Sequence, residues 1–384
     1  MQYRTYGKLG WKVSAFGMGC MRLPRLVKDG QSIVDREKSL EIIRYAASHD
    51  VNYFDTAFGY HNMTSEEILG EALDGGLREN VIIATKQPFG VMKTRDDIRK
   101  NLESTLKKLR TNYLDVYLIH GINYSYWEDV KKRKIIEEYE KFRNEGLIRA
   151  IAFSYHGSYP GFSEILNFYD WDMCQVQQNF VDVNLEVTVE GIRHAGKKGC
   201  ALVIMEPIRG GNLADPPAVV QAIYDEYLQK RSGVEWAFRH LIDYGEVSTI
   251  LSGVTTMEQL KENLEIFSRP DAIPGCMTEM EKKIIARVRE KYNSFASIPC
   301  TSCEYCMPCP QGVNIPGVFS RFNDMVMFGK SEPAKRGYYF MGRFKSDASL
   351  CVECGACEEK CPQRISIKQE LKNCHEKLLG WVDY

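Results

Sequence analysis

Val81-Ile82-Ile83-Ala84-Thr85-Lys86 is a short apolar run that stops on a cation. The run before it, Val51-Asn-Tyr-Phe-Asp55, stops on a carboxylate. The run after it, Val116-Tyr-Leu-Ile-His120, stops on an imidazole. Working outward, similar runs read Phe16–Cys20, Ala150–Ser154, Met173–Gln177, Ala201–Met205 and Thr249–Gly253. That makes eight candidate buried strands. Segments of helical periodicity lie between them, among them Ser39–Ser48, Ser65–Leu73, Asp96–Leu109 and Ile135–Asn144. The repeat is roughly thirty residues, the size of one strand–helix unit. Eight such units predict an α/β fold, a (β/α)8 TIM barrel. A doubly wound open sheet is the alternative, but no G-x-G-x-x-G follows the first strand. In a barrel, the polar residues closing each run meet on one face, where active sites are built.

The chain has 384 residues, too many for one ordinary domain, and a net charge of −1. Near-neutrality provides no basic field for a nucleic-acid backbone. The N-terminus lacks a signal-peptide core, and no apolar run is long enough to span a bilayer. These features lead us to expect a cytoplasmic protein with no nucleic-acid or membrane partner.

Of the thirteen cysteines, nine crowd into the last 85 residues. Such crowding points to metal rather than a disulfide framework. The first cluster is Cys300-x2-Cys303-x2-Cys306-x2-Cys309-Pro310, and the second is Cys351-x2-Cys354-x2-Cys357-x3-Cys361-Pro362. The second matches the bacterial ferredoxin run; the first is one residue shorter before its fourth cysteine. Two 4Fe–4S clusters are the expected occupants, with two four-cysteine zinc sites as the alternative. On the ferredoxin pattern the fourth cysteine crosses over. Cys300, Cys303, Cys306 and Cys361 then hold one cluster, and Cys351, Cys354, Cys357 and Cys309 the other. The apolar stretch Ile315–Phe328 separates the motifs, an arrangement that resembles the α-helical ferredoxin domains of respiratory iron–sulfur subunits and implies a mainly α-helical ferredoxin-like domain. Thr278–Tyr292 reads as a helix on the outside of the barrel. We place the boundary near Ser297, giving a barrel over 1–296 and a cluster domain over 297–384. Cys374 reads as a packed thiol, and Cys20, Cys174 and Cys200 as small core residues.

Asp55-Thr-Ala-Phe-Gly-Tyr60, followed by Ser65-Glu-Glu-Ile-Leu-Gly-Glu-Ala-Leu73, resembles the signature of the aldo-keto reductases. Lys86, His120 and the segment Val254–Asn263 fall at the family's other motif places, and the likeness runs from about Gly7 to Asn263. It implies an oxidoreductase acting on small carbonyl or alcohol substrates with NADP or NAD. Its catalytic residues would be Asp55, Tyr60, Lys86 and His120. Tyr60 would donate a proton to a carbonyl oxygen, Lys86 would lower the Tyr60 pKa, Asp55 would anchor Lys86, and His120 would orient the carbonyl. The resemblance also implies a nucleotide site of Ser154, Gln175, Met205, Arg209, Gly210, Gly253, Thr255, Gln259 and Asn263. Arg209 and its glycines would meet the pyrophosphate. Tyr155 and Met205 stand where the family usually has asparagine and tyrosine.

Hydride carries two electrons and each cluster takes one, so coupling needs a splitter; a flavin is one candidate. Three readings follow. The clusters exchange electrons with the barrel or with a ferredoxin or flavoprotein partner. Alternatively, an ordinary carbonyl reductase carries structural or oxygen-sensing clusters. In the third, the barrel is a non-catalytic binding module in an electron carrier or redox-sensing adapter. Anaerobic or microaerobic life is the expected setting. Tyr124, Tyr126 and Trp127 either line a substrate pocket or pack on the barrel.

Overall fold

The computed structural model describes residues 1–28, 31–122, 124–300, 302 and 304–381; Cys303, an expected ligand, lies outside them. The chain divides into two compact units. One comprises Met1–Leu213 with Ser232–Thr278, the other Ala214–Arg231 with Glu279–Tyr384. This division differs from a single boundary near 297. The helix Glu279–Asn293 groups with the second unit, as does the excursion 214–231. Their partnership is visible in the ion pair Arg231–Glu281 at 2.7 Å, both side chains buried.

The first unit is a closed parallel barrel of eight strands. They are β1 (Phe16–Gly19), β2 (Tyr53–Asp55), β3 (Ile82–Pro88), β4 (Leu114–Ile122), β5 (Ile148–Tyr155), β6 (Met173–Gln177), β7 (Ala201–Met205) and β8 (Val247–Ser252). Each pairs with its sequence neighbour, and β8 pairs with β1 through Ile250 beside Phe16. All eight expected runs are strands.

Alternation along the strands decides what the barrel holds. Tyr53, Ala84, Val116, Leu118, Ala150, Ala152, Met173, Ala201, Val203 and Leu251 form one buried cluster. Side chains two apart share a strand face. The next positions on that face are therefore Asp55, Lys86, His120, Ser154, Gln175 and Met205. Below them the N-terminal hairpin Tyr3–Tyr6/Trp11–Ser14 contributes Tyr6 and Val13 to the same cluster. The packed lower layers leave chemistry only to the top one.

The second unit is helical, with a small core of residues such as Val318, Phe319, Phe322, Tyr338, Ile367 and Leu371. Cys374 is fully buried in that core, as expected of a packed thiol. The unit repeats itself. Ser302 and Glu353, each two residues after the first cysteine of its motif, have positive φ, as do Glu304 and Gly355 two residues further on. Gly312 and Arg364, each three residues after a fourth cysteine, do too, and the helices Ile315–Phe328 and Ile367–Leu378 begin three residues later. Both motifs thus wrap by the same left-handed turns before entering a helix. No helix among the described residues is long and apolar enough to cross a membrane.

Candidate active site and cluster cavities

Lys86, on β3, is 1% exposed. Its Nζ donates to Asp55 Oδ1 at 2.6 Å and to the Thr56 carbonyl at 2.8 Å. Burying an ammonium demands such a partner. The Tyr60 ring lies 5.0 Å from Nζ, and the two groups shift each other's protonation. The His120 ring meets the Tyr60 ring edge-on at 6.0 Å. All four expected catalytic residues therefore meet at the C-terminal mouth.

The signature segment explains how they are held. Glu66, fully buried at the start of helix Ser65–Ala72, accepts from Thr85 at 2.8 Å and Thr105 at 3.1 Å. It clamps β3 one residue before Lys86. Ser65 donates to the Cys20 carbonyl at 3.0 Å, tying the helix to the end of β1. Gly70 admits no side chain, because a Cβ there would stand 2.4 Å from the Lys108 carbonyl.

Electrostatics corrects one expectation. Burial pulls Lys86 down, but Asp55 and then Tyr60 push it up further, so the ammonium stays charged. At Tyr60, burial raises the phenol more than Lys86 lowers it, and the net shift is upward. Lys86 acts in the expected sense without winning. Burial, then Lys86, then His156 pull His120 down to about 3, which keeps it a neutral hydrogen-bonding imidazole.

Beside this group, β5, β6 and β7 bring Ser154, Gln175 and Met205 together. Gln175 Nε2 lies 3.7 Å from Met205 Sδ, and its Oε1 is buried with no hydrogen-bond partner. Ser154 Oγ accepts from the Gly121 N–H at 2.7 Å, leaving its own hydrogen to donate. An unpaired acceptor next to an available donor fits a carboxamide group. The other expected nucleotide residues divide. Gln259 Oε1 accepts from the Thr255 N–H at 2.8 Å, and Asn263 donates to Ser252 at 3.2 Å, so both brace the end of β8. Arg209 is turned to Asp182 at 3.2 Å, with only 12% of its side chain exposed. Gly210 and Gly253 instead flank Arg22, which the sequence reading overlooked. A Cβ on Gly210 would lie 3.1 Å from the Arg22 guanidinium, and one on Gly253 would lie 2.9 Å from Arg22 Cβ. Arg22 is exposed and spans the mouth between the β7 and β8 loops. Its only sequence signal is a cation three residues past β1.

Of the loop aromatics, Trp127 is buried against Phe168 at 5.0 Å. Tyr126 is exposed and stacks on Phe89 at 5.2 Å.

In the second unit, an open cavity is lined by Cys306, Cys309, Cys351, Cys354 and Cys357. A second is lined by Cys300, Cys306 and Cys361. Each draws cysteines from both motifs. Zinc would hold its sulfurs about 2.3 Å from one point. Thiols drawn from both motifs to each cavity follow the crossed-over ferredoxin pattern, which suits clusters better.

A family model for the aldo/keto reductase family matches residues 16–273. The chain belongs to the aldo/keto reductase family. A 4Fe-4S dicluster domain matches residues 299–365. Among relatives, an uncharacterized oxidoreductase of Bacillus subtilis is 23% identical over 69% of this chain and 90% of its own length. The L-galactose dehydrogenase of Arabidopsis thaliana is 23% identical over 69% and 87%. Among solved structures, the holo form of a Bacillus halodurans aldo-keto reductase superposes with a TM-score of 0.63 at 24% identity, covering 75% of this chain and 96% of that one. A Klebsiella pneumoniae aldo-keto reductase in complex with NADPH gives 0.61 at 18%, with the same coverage. This aldo/keto reductase is thus an oxidoreductase with an added iron–sulfur domain.

Proposed function

We propose that the barrel interconverts a small carbonyl compound and its alcohol with NADP(H), and that two 4Fe–4S clusters exchange electrons with it or with a protein partner. The carrying observation is the mouth itself: a buried Asp55–Lys86 pair with the Tyr60 ring 5.0 Å from its ammonium, and a neutral His120 against the same ring. The nicotinamide supplies or accepts hydride when bound. NADP(H) is favoured by the NADPH held in the Klebsiella pneumoniae relative. Ser154 and Gln175 would hold the carboxamide, Met205 would lie beside the ring, and Arg22 would face the phosphates over Gly210 and Gly253. Thr255, Gln259 and Asn263 would shape the adenosine end.

A carbonyl oxygen entering between Tyr60 and His120 meets two donors. Tyr60, kept protonated by burial, gives its proton to that oxygen. Lys86 stabilises the phenolate left behind, and Asp55 keeps Lys86 aimed. His120 has lost its charge to burial, so it orients the oxygen by a neutral hydrogen bond. In the second unit, Cys309, Cys351, Cys354 and Cys357 would ligate one cluster, and Cys300, Cys306 and Cys361 with Cys303 the other. Each cluster supplies a one-electron site.

The test is anaerobic purification, visible and EPR spectra, then titration with NADPH and NADH. Tight NADPH binding, carbonyl reduction and a nucleotide-driven EPR signal of reduced clusters are expected. Binding and turnover with clusters that stay oxidised would end the coupling. Absence of nucleotide binding would end the reductase reading.

A further inference from the structure

Glu206, the residue after β7, takes no part in the proton transfer, and its backbone is unusual. Its φ is +57°. A glutamate rarely enters that left-handed region. A residue before a proline, here Pro207, is ordinarily extended. Backbone held against such preferences gathers at functional sites. The Glu206 side chain lies beside Gly210. A Cβ on Gly210 would stand 3.4 Å from Glu206 Oε2 and 3.1 Å from the Arg22 guanidinium. The two charges are therefore neighbours, yet they form no ion pair. The partly buried Glu206 carboxylate has no hydrogen-bond partner among the described residues. It also lies within electrostatic reach of Tyr60. Burial raises that phenol most, Lys86 opposes, and Asp55 and Glu206 add to the rise.

The order of groups along the mouth says what this carboxylate meets. Ser154 and Gln175 suit the carboxamide, Met205 the ring, and Arg22 beside Gly210 the phosphates. In any nicotinamide nucleotide the unit between the ring and the first phosphate is a ribose, with two adjacent hydroxyls. In this chain the first side chain after Met205, and one that reaches Gly210, is Glu206. An ionised carboxylate only accepts, and its two oxygens can take two hydroxyl hydrogens. A phosphate in the same place would be repelled. We propose that Glu206 binds the nicotinamide ribose by accepting from its 2′- and 3′-hydroxyls, while Arg22 takes the adjoining phosphate. Carboxylate and guanidinium stay apart because each serves a different part of one ligand. The ribose contact then fixes where the ring lies against Met205. This rests on the nicotinamide reading above.

The experiment is a fluorescence titration of the full-length holoprotein with NADPH and with its analogue lacking the 2′-hydroxyl of the nicotinamide ribose. Wild type should bind NADPH about tenfold more tightly than the analogue, the worth of one hydrogen bond to a charged acceptor. Glu206→Gly should weaken NADPH by about tenfold or more. It should also bind the two nucleotides within about twofold of each other, because the partner of the missing hydroxyl is already gone. Glycine enters the left-handed region freely, so this variant should melt no lower than wild type, which separates binding from folding. Glu206→Gln keeps one acceptor and should lose less affinity than Glu206→Gly. Equal discrimination between the nucleotides by wild type and Glu206→Gly would overturn the proposal while leaving the nicotinamide reading intact. An unchanged NADPH Kd with a raised KM for the carbonyl substrate would overturn it too, and would give Glu206 to the substrate. Wild-type protein that binds no nucleotide would defeat the nicotinamide reading first, and this proposal with it.

Discussion

The barrel mouth and the cysteine cavities are built on opposite principles. At the mouth the protein is its own counter-charge: Lys86 finds Asp55, the Thr56 carbonyl and Tyr60. The strands beneath are packed with apolar side chains, so the group is held before anything binds. In the second unit the thiols surround open volumes, and the core beside them is small. The barrel mouth is satisfied by its own side chains, whereas the cysteines line cavities at the edge of a small core. Enzyme sites that must aim a proton gain from the first plan, and redox sites that must wrap a preformed inorganic cube gain from the second.

That contrast can be broken most severely by removing a ligand. Cys357→Ala should abolish one cluster, read as a loss of about half the iron and sulfide, while NADPH binding by the barrel persists. Loss of nucleotide binding as well would show that the barrel is not self-sufficient. Tyr60→Phe should reduce kcat for carbonyl reduction by roughly 10² to 10⁴, with iron content and nucleotide Kd unchanged. A smaller loss would place the proton donor elsewhere.

Much of this was legible beforehand, and the reasons are particular. Eight strands could be read because each is a buried parallel strand, apolar on both faces. Asp55, Lys86 and His120 stood out because a charged or polar residue ending such a run must be satisfied on the inside. Arg22 could not be found in this way. It lies in a short turn after β1, and its place against Gly210 and Gly253 comes from three loops meeting in space. Lys86 lowers the Tyr60 pKa as expected, but the net upward shift was not legible, because the sequence names the neighbouring charge and not the extent of burial. The unit boundary differed because 214–231, an excursion after β7, joins the second unit through pairs such as Arg231–Glu281.

Two smaller effects sharpen the picture of the mouth. Arg22→Ala should weaken NADPH about fivefold, ~1 kcal/mol, because an exposed cation facing phosphate is screened by solvent. Isothermal titration at two salt concentrations checks this. An unchanged Kd would remove Arg22 from the site. The smallest effect concerns pH. With His120 pulled down to about 3 and Tyr60 pushed up, neither group titrates near neutrality. Carbonyl reduction at saturating NADPH should therefore vary less than about twofold from about pH 5 to about pH 9, falling only as Tyr60 loses its proton. An inflection at the ordinary histidine value, about 6.5, would show that His120 is not desolvated.

Each cysteine cavity draws on both motifs, which has a consequence in polymer terms. A cluster seated in one cavity ties Cys300 to Cys361; a cluster in the other ties Cys309 to Cys351. The second tie is nested inside the first, closing loops of about 60 and about 40 residues. By the arithmetic used for disulfides, ties of that span each remove about 4 kcal/mol of unfolded-chain entropy. Inorganic cubes would then work as cross-links as well as electron sites. Losing either one would free a long stretch of chain that its small apolar core is poorly equipped to hold.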